Sequence, residues 1–155
     1  MPSWSVIQEN EPEFASRVQS LFDAGRHKTI ATLRSDGSPR ISGIECEFTG
    51  GELRFGSMPS ARKLADLKRD DRFALHGPTF HPEEGKEGDW PGEAKISGRV
   101  FPPGMRTADE DAPPEGDVFT ADIFEVVITR LNAEATKLII ESWSPDHGLR
   151  TFERD

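Results

Sequence analysis

The chain holds a single cysteine, Cys46, among its 155 residues. No intramolecular disulfide can form, which fits a reducing compartment. No apolar run approaches the ~20 residues that a membrane-spanning helix needs. The opening segment, MPSWSVIQENEPEF, lacks a basic stretch followed by an apolar one, so no secretory signal is expected. Positive charge is scarce: 19 Lys and Arg stand against 28 Asp and Glu, a formal net charge of −9. That sign disfavours general binding to nucleic acid or to an acidic membrane, while leaving room for a small basic pocket serving one phosphate. A GxSxG elbow, a P-loop, a Ser-His-Asp arrangement and paired cysteines at metal-binding spacing are all missing. Hydrophobic residues reach only 34%, enough for one modest core. The expectation is a cytoplasmic protein of one domain, residues 1–155.

What is present reads as many short strands with few helices. Residues 11–25 carry Phe14, Val18, Leu21 and Phe22 at helical spacing and end at Gly25. KTIATL (28–33), PRISGIECEF (39–48) and ELRFG (52–56) alternate like strands and are separated by SDGS and Gly50-Gly51 turns. A helix follows within 57–71, with Ser60 as its expected cap and Ala61, Leu64, Ala65 and Leu67 as its inner face. Strands are expected at 72–78, 93–101, 122–132, 137–143 and 148–154. Residues 79–92 read as a polar loop, and residues 102–117 as a mobile loop rich in proline and acid. Hairpin order with one helix between the third and fourth strands points to a small antiparallel barrel.

The segment RFGSMPSARKLADLKRDDRFALH (54–76) has the make-up of an anion site. A strand ends at Gly56-Ser57 and a helix begins with Arg62 and Lys63 in its first turn. Free backbone N–H groups and the positive helix end favour phosphate there. Two cations and the hydroxyls of Ser57 and Ser60 would add charge-assisted hydrogen bonds. Two readings stay open on these residues alone: phosphate ligands, or solvated charges on a surface helix.

FGSMPSARK, followed by a leucine-bearing helix and DDRFAL, resembles a segment of the pyridoxamine-5'-phosphate-oxidase-like, FMN-binding split-barrel superfamily. The resemblance covers about residues 27–154. It implies a mainly β, antiparallel split barrel with a few helices. It also implies a homodimer that holds its cofactor between subunits and acts on a small-molecule substrate. FMN is the implied cofactor; members that use the deazaflavin F420, bind haem or have no known cofactor are the alternatives. Carried over, Gly56, Ser57, Arg62 and Lys63 hold the phosphate and ribityl chain, and Arg40, early in strand two, contacts the cofactor. The serine that precedes Arg-Lys in the family is Ala61 here, with Ser60 one place earlier. The terminal ESWSPDHGLRTFERD resembles the family's Trp followed by Arg-x-His-x-Arg. That resemblance brings Trp143 and Arg154 to the flavin and Arg150 to the substrate. The family's histidine is Phe152 here, which fits a flavin site better than pyridoxal-phosphate chemistry. On the residues alone, Arg40 equally reads as an exposed strand charge, and Trp143 as a core or interface anchor.

Other polar residues carry weaker signals. His76 and His81 have no third ligand at a recognisable spacing, so no metal is expected. His147 reads as a surface histidine, and Asp109–Asp111 as part of a solvated loop. Cys46 shares a strand face with Ile44 and Phe48 and reads as a small buried hydrophobe. A flavin carries its own redox chemistry, so no general acid or base is assigned.

Overall fold

The computed structural model describes residues 2–57, 60–101 and 117–155, with the backbone alone for Ser57 and Asp117. In chain order the elements are α1 (Trp4–Asn10), α2 (Pro12–Asp23), β1 (Lys28–Leu33), β2 (Pro39–Thr49) and β3 (Glu52–Ser57). There follow α3 (Arg62–Arg69), β4 (Arg72–His76), a short 3-10 turn (Glu87–Asp89), β5 (Glu93–Phe101), β6 (Asp117–Leu131), β7 (Leu138–Ser144) and β8 (Gly148–Arg154).

Turn chemistry sets the first hairpin. The Asp36 carboxylate accepts from the Ser38 backbone N–H at 2.9 Å and from its hydroxyl at 2.6 Å, and Gly37 takes φ +85°, where a side chain would be strained. The strands then pair antiparallel in the order β3-β2-β1-β4-β5-β6-β7-β8. Pairing of Arg54–Ser57 with Asp117–Thr120 joins β3 to β6 and closes six strands into a barrel. Farther along, Val126–Leu131 of β6 leaves the barrel seam and pairs with β7, which pairs with β8. One long strand therefore serves both the barrel and an added hairpin. This is the expected mainly β split barrel.

Inside lie Ile30, Leu53, Phe55, Phe73, Leu75, Ile96, Phe119, Ile123 and Ile128, each nearly or fully buried. Gly98, at a register shift between β5 and β6, marks a close approach: a Cβ there would overlap the Asp122 carbonyl oxygen. α2 covers one end of the barrel with Phe14, Val18, Leu21 and Phe22, and it starts with Pro12 in its first turn.

The differences from the sequence-based expectation have physical causes. α1 was not expected, because a short polar stretch holds only Trp4 and Ile7 as inward anchors; Trp4 packs on Phe48 at 4.6 Å between ring centroids. α3 starts at Arg62 with extended Ala61 at its cap and no side-chain cap, so Ser60 does not cap it. Ala65 is exposed, and Asp66 takes the inward place expected for it. β4 stops at His76, and β6 begins at Asp117 rather than residue 122 because its first residues close the barrel. The loop expected at 102–117 lies outside the described residues except for Asp117.

Candidate functional site

α3 lies across the barrel with Leu64 and Leu67 buried at 2% and 3% exposure. Between them Asp66 enters the protein as a charge with three partners. Its Oδ2 accepts from Thr32 Oγ1 at 2.8 Å and from Arg40 Nε at 2.7 Å, and its Oδ1 accepts from Arg69 at 3.0 Å. Arg69 also donates to the Leu33 carbonyl at 2.9 Å. Burial pushes the Asp66 carboxyl upward, but the hydrogen bonds from Arg40, Thr32 and Arg69 outweigh it and hold the group below its ordinary value. The network ties α3 to β1 and β2 and fixes where the helix begins.

At that beginning Lys63 Nζ donates to the Gly43 carbonyl of β2 at 3.0 Å, and Arg62 beside it is exposed. Ala61 is extended with no side-chain cap, and the Leu64 N–H donates to the Ala61 carbonyl at 3.1 Å, so an anion at this helix start would meet the N–H groups of Arg62 and Lys63.

Gly43 opens onto the outer face of the sheet. Cross-strand partners share a face, so register traces rows across the strands. One row runs Gly43, Thr29, His76, Lys95, Val127, Ser142, Arg150 from β2 to β8. The next runs Ile41, Ala31, Ala74, Ser97, Glu125. Where the rows hold Gly, Thr, Ala and Ser the surface is low. The taller Ile41, His76, Lys95 and Glu125 rim a groove of about 510 Å³. Lys63 thus joins the helix start to the strand that forms one side of this groove.

The residues expected at a site fall into separate groups. Arg62 and Lys63 are adjacent at the start of α3, where Lys63 reaches β2 at the Gly43 carbonyl. Gly56 lies between Glu45 of β2 and Val118 of β6, and Ser57 pairs with Asp117. Arg40 turns inward to Asp66, with 19% of its side chain exposed. Trp143 is 3% exposed and belongs to the core, on the same face as its neighbour Leu149. Arg150 and Arg154 are exposed on β8. Arg150 lies on β8, six strands from Gly43 along their shared row and four the other way round, through the β3–β6 closure.

The sequence reading missed Asp66, hidden by charged neighbours in KLADLKRDD, and the groove floor of small residues. Among the described residues no group of three His, Cys, Asp or Glu is placed to hold a metal ion. Cys46 is partly buried and packs against the core; burial, the largest influence, pushes its thiol up to about 11 despite the pull of Lys28.

No model of a known protein family matches the chain, and no curated protein matches it in sequence. Solved structures do match in three dimensions. A pyridoxamine 5'-phosphate oxidase-related, FMN binding protein from Nostoc punctiforme is 11% identical, covering 96% of this chain and 97% of its own, with a TM-score of 0.61. PhzG from Burkholderia lata, in complex with tetrahydrophenazine-1-carboxylic acid, is 12% identical, covering 99% of this chain and 93% of its own, with a TM-score of 0.62. An F420 reductase is 15% identical, covering 70% of this chain and 94% of its own, with a TM-score of 0.51. At these identities the likeness is one of fold. The chain has the split-barrel fold of pyridoxamine 5'-phosphate oxidase-like, FMN-binding proteins.

Proposed function

We propose that the protein binds FMN and acts as an oxidoreductase on a small molecule. The observation that carries this reading is the contact of Lys63, in a cationic, uncapped helix start, with β2 at Gly43, two residues from Ile41 on the rim of a groove floored by Thr, Ala and Ser. The donor set fits a phosphate tail: the Arg62 guanidinium, the Lys63 ammonium and the first N–H groups of α3. The low floor fits a planar ring, and the taller rim restricts it sideways. Arg40 acts indirectly, holding Asp66 and through it the helix start.

Bound FMN supplies hydride or single-electron transfer; the chain's part is to hold, orient and shield it. The apolar side of the groove excludes water, and Lys95, His76 and Glu125 offer polar contacts along its edge. Phe152 stands where the resembled family has a histidine and cannot donate a hydrogen bond to a phosphate or hydroxyl, so pyridoxamine phosphate is not the proposed substrate. F420, which also carries a phosphate-bearing tail, is the second reading, favoured by the likeness to an F420 reductase.

The cofactor reading goes with a homodimer. Ile41 is 76% exposed, Phe152 47% and Leu138 37%, all on the outer sheet face by register. A second copy covering this face would bury them and bring Arg150 and Arg154 of each copy toward the groove of the other.

The test is the absorption spectrum of the purified protein, with mass spectrometry of the small molecules it releases on denaturation. Released FMN supports the reading. A colourless protein that binds added F420 but not FMN replaces it with the second. A haem Soret band, or no binding of either cofactor, contradicts both.

A further inference from the structure

Lys95 stands on the rim of the groove without a partner of its own. The chain has 28 acidic side chains for 19 basic ones, so acids are in excess. On the same strand Arg99 meets Asp71 at 3.3 Å, and on the next strand Arg130 meets Glu141 at 3.1 Å. Lys95 is exposed and, among the described residues, makes no ion pair and no side-chain hydrogen bond. Glu93, two residues away on the same face of β5, lies against His76 at 3.3 Å instead. Glu125 is opposite Ser97 while Lys95 is opposite Val127, so the two charges are diagonal neighbours roughly 7–8 Å apart across the strand pair. No ion pair joins them. The floor beside Lys95 carries Thr29, Ala31, Ala74 and Ser97, none of them charged.

We propose that Lys95 is a specificity-determining residue of this groove, whose ammonium receives the carboxylate of a flat, singly charged organic acid lying over the cofactor ring. The proposal rests on the cofactor reading above and names the substrate class for it. A lysine on a rim lays its four-carbon stem along apolar surface and carries its charge above a floor of short side chains. A ring on that floor, with a substrate on top of it, takes water away from the rim. An ammonium that loses water favours an anion over a neutral group, because the charge-assisted hydrogen bond replaces the lost hydration. The cofactor phosphate has Arg62 and Lys63 at the start of α3, which leaves Lys95 for a different anion. Glu125, diagonal to Lys95, repels a second negative charge, so the acid is a monocarboxylate.

The test is calorimetric titration of naphthoate, and of its uncharged amide naphthamide, into cofactor-loaded wild type, Lys95→Met, Lys95→Arg and Glu125→Gln. The probes share their ring system, so the ratio of their Kd values within one protein isolates the carboxylate from any general change in the groove. Wild type is expected to bind the acid about tenfold tighter than the amide, tenfold being about 1.4 kcal/mol. In Lys95→Met the ratio falls to about one while amide binding stays as in wild type. Lys95→Arg keeps the preference, because a guanidinium also pairs with a carboxylate. Glu125→Gln enlarges it, because a repelling charge is gone. Equal binding of acid and amide by wild type, binding of neither, or a preference that survives in Lys95→Met overturns the proposal. Uptake of FMN or F420 is read from the absorption spectrum before either probe is added. Wild type that takes up neither overturns the cofactor reading and this proposal with it, whereas a loaded protein without a preference for the acid overturns this proposal alone.

Discussion

Arg40 and Asp66, 26 residues apart in sequence, meet at 2.7 Å beneath the start of α3. Asp66 has only 3% of its side chain exposed and serves Thr32 and Arg69 as well. Removing one partner of a buried ion pair leaves the other charge uncompensated and typically costs about 3–5 kcal/mol. Asp66→Ala should therefore lower unfolding free energy by roughly 3 kcal/mol, measured by urea denaturation. The contribution should depend on pH. The folded-state carboxyl is held below its ordinary value, so its stabilisation is fully present above about pH 4 and is lost as pH falls toward the folded value. The difference between wild type and Asp66→Asn should shrink in acid; an equal difference at neutral and acid pH would show that the carboxylate charge does not matter. Asp70 should report the same trend by NMR titration, because its hydrogen bonds from the Arg72 side chain and backbone hold it at about 2.

Cys46 should be inert while the protein is folded. Burial pushes its thiol up to about 11, so little thiolate exists near neutral pH. Ellman's reagent should label it slowly in the native protein and quickly in denaturant. Native labelling at the denatured rate would mean that the thiol is open to solvent.

Gly98→Ala should be severely destabilising. The added Cβ would collide with backbone, the Asp122 carbonyl, which cannot move aside as a flexible side chain can. A loss of more than about 2 kcal/mol, or failure to accumulate folded protein, is expected. A melting temperature within a degree of wild type would show that the β5–β6 register shift adapts to a side chain.

Much of this architecture is written locally. Alternating apolar residues gave every strand, and SDGS and Gly50-Gly51 gave the first two turns, because those signals act over a few residues. Trp4 and Ile7 gave no comparable signal for α1, which exists because the barrel offers Phe48 and neighbouring core residues to pack on. The site was legible only in part. Arg62 and Lys63 were marked by their place after a strand end. The groove was not, because its floor combines Thr29, Ala31, Ala74 and Ser97 from three strands, and only the pairing register brings them together. Asp66 and His76 owe their settings to partners 34 and 17 positions away, Thr32 and Glu93, which no local pattern ties to them.

The outer sheet face should hold two copies together. Light scattering is expected to give twice the chain mass of 17.2 kDa at micromolar concentration. Ile41→Asp places a charge on a side chain that is 76% exposed in one copy, so the single chain should tolerate it while the dimer dissociates. A wild-type mass of one chain, or an Ile41→Asp protein as dimeric as wild type, would remove this face as the interface.

The central claim is that the start of α3 holds the phosphate of the cofactor. Arg62 and Lys63 each offer a charge-assisted hydrogen bond worth roughly 1.5–3 kcal/mol. Replacing either by Ala should weaken binding about tenfold to a hundredfold, while the stability of the cofactor-free protein changes by less than about 0.5 kcal/mol for exposed Arg62. The most direct measurement is calorimetric titration of FMN, and separately F420, into cofactor-free wild type and the Arg62→Ala/Lys63→Ala double variant. Saturable binding to wild type and almost none to the double variant is expected. Equal affinity in the two proteins would make this segment an ordinary surface helix and contradict the account.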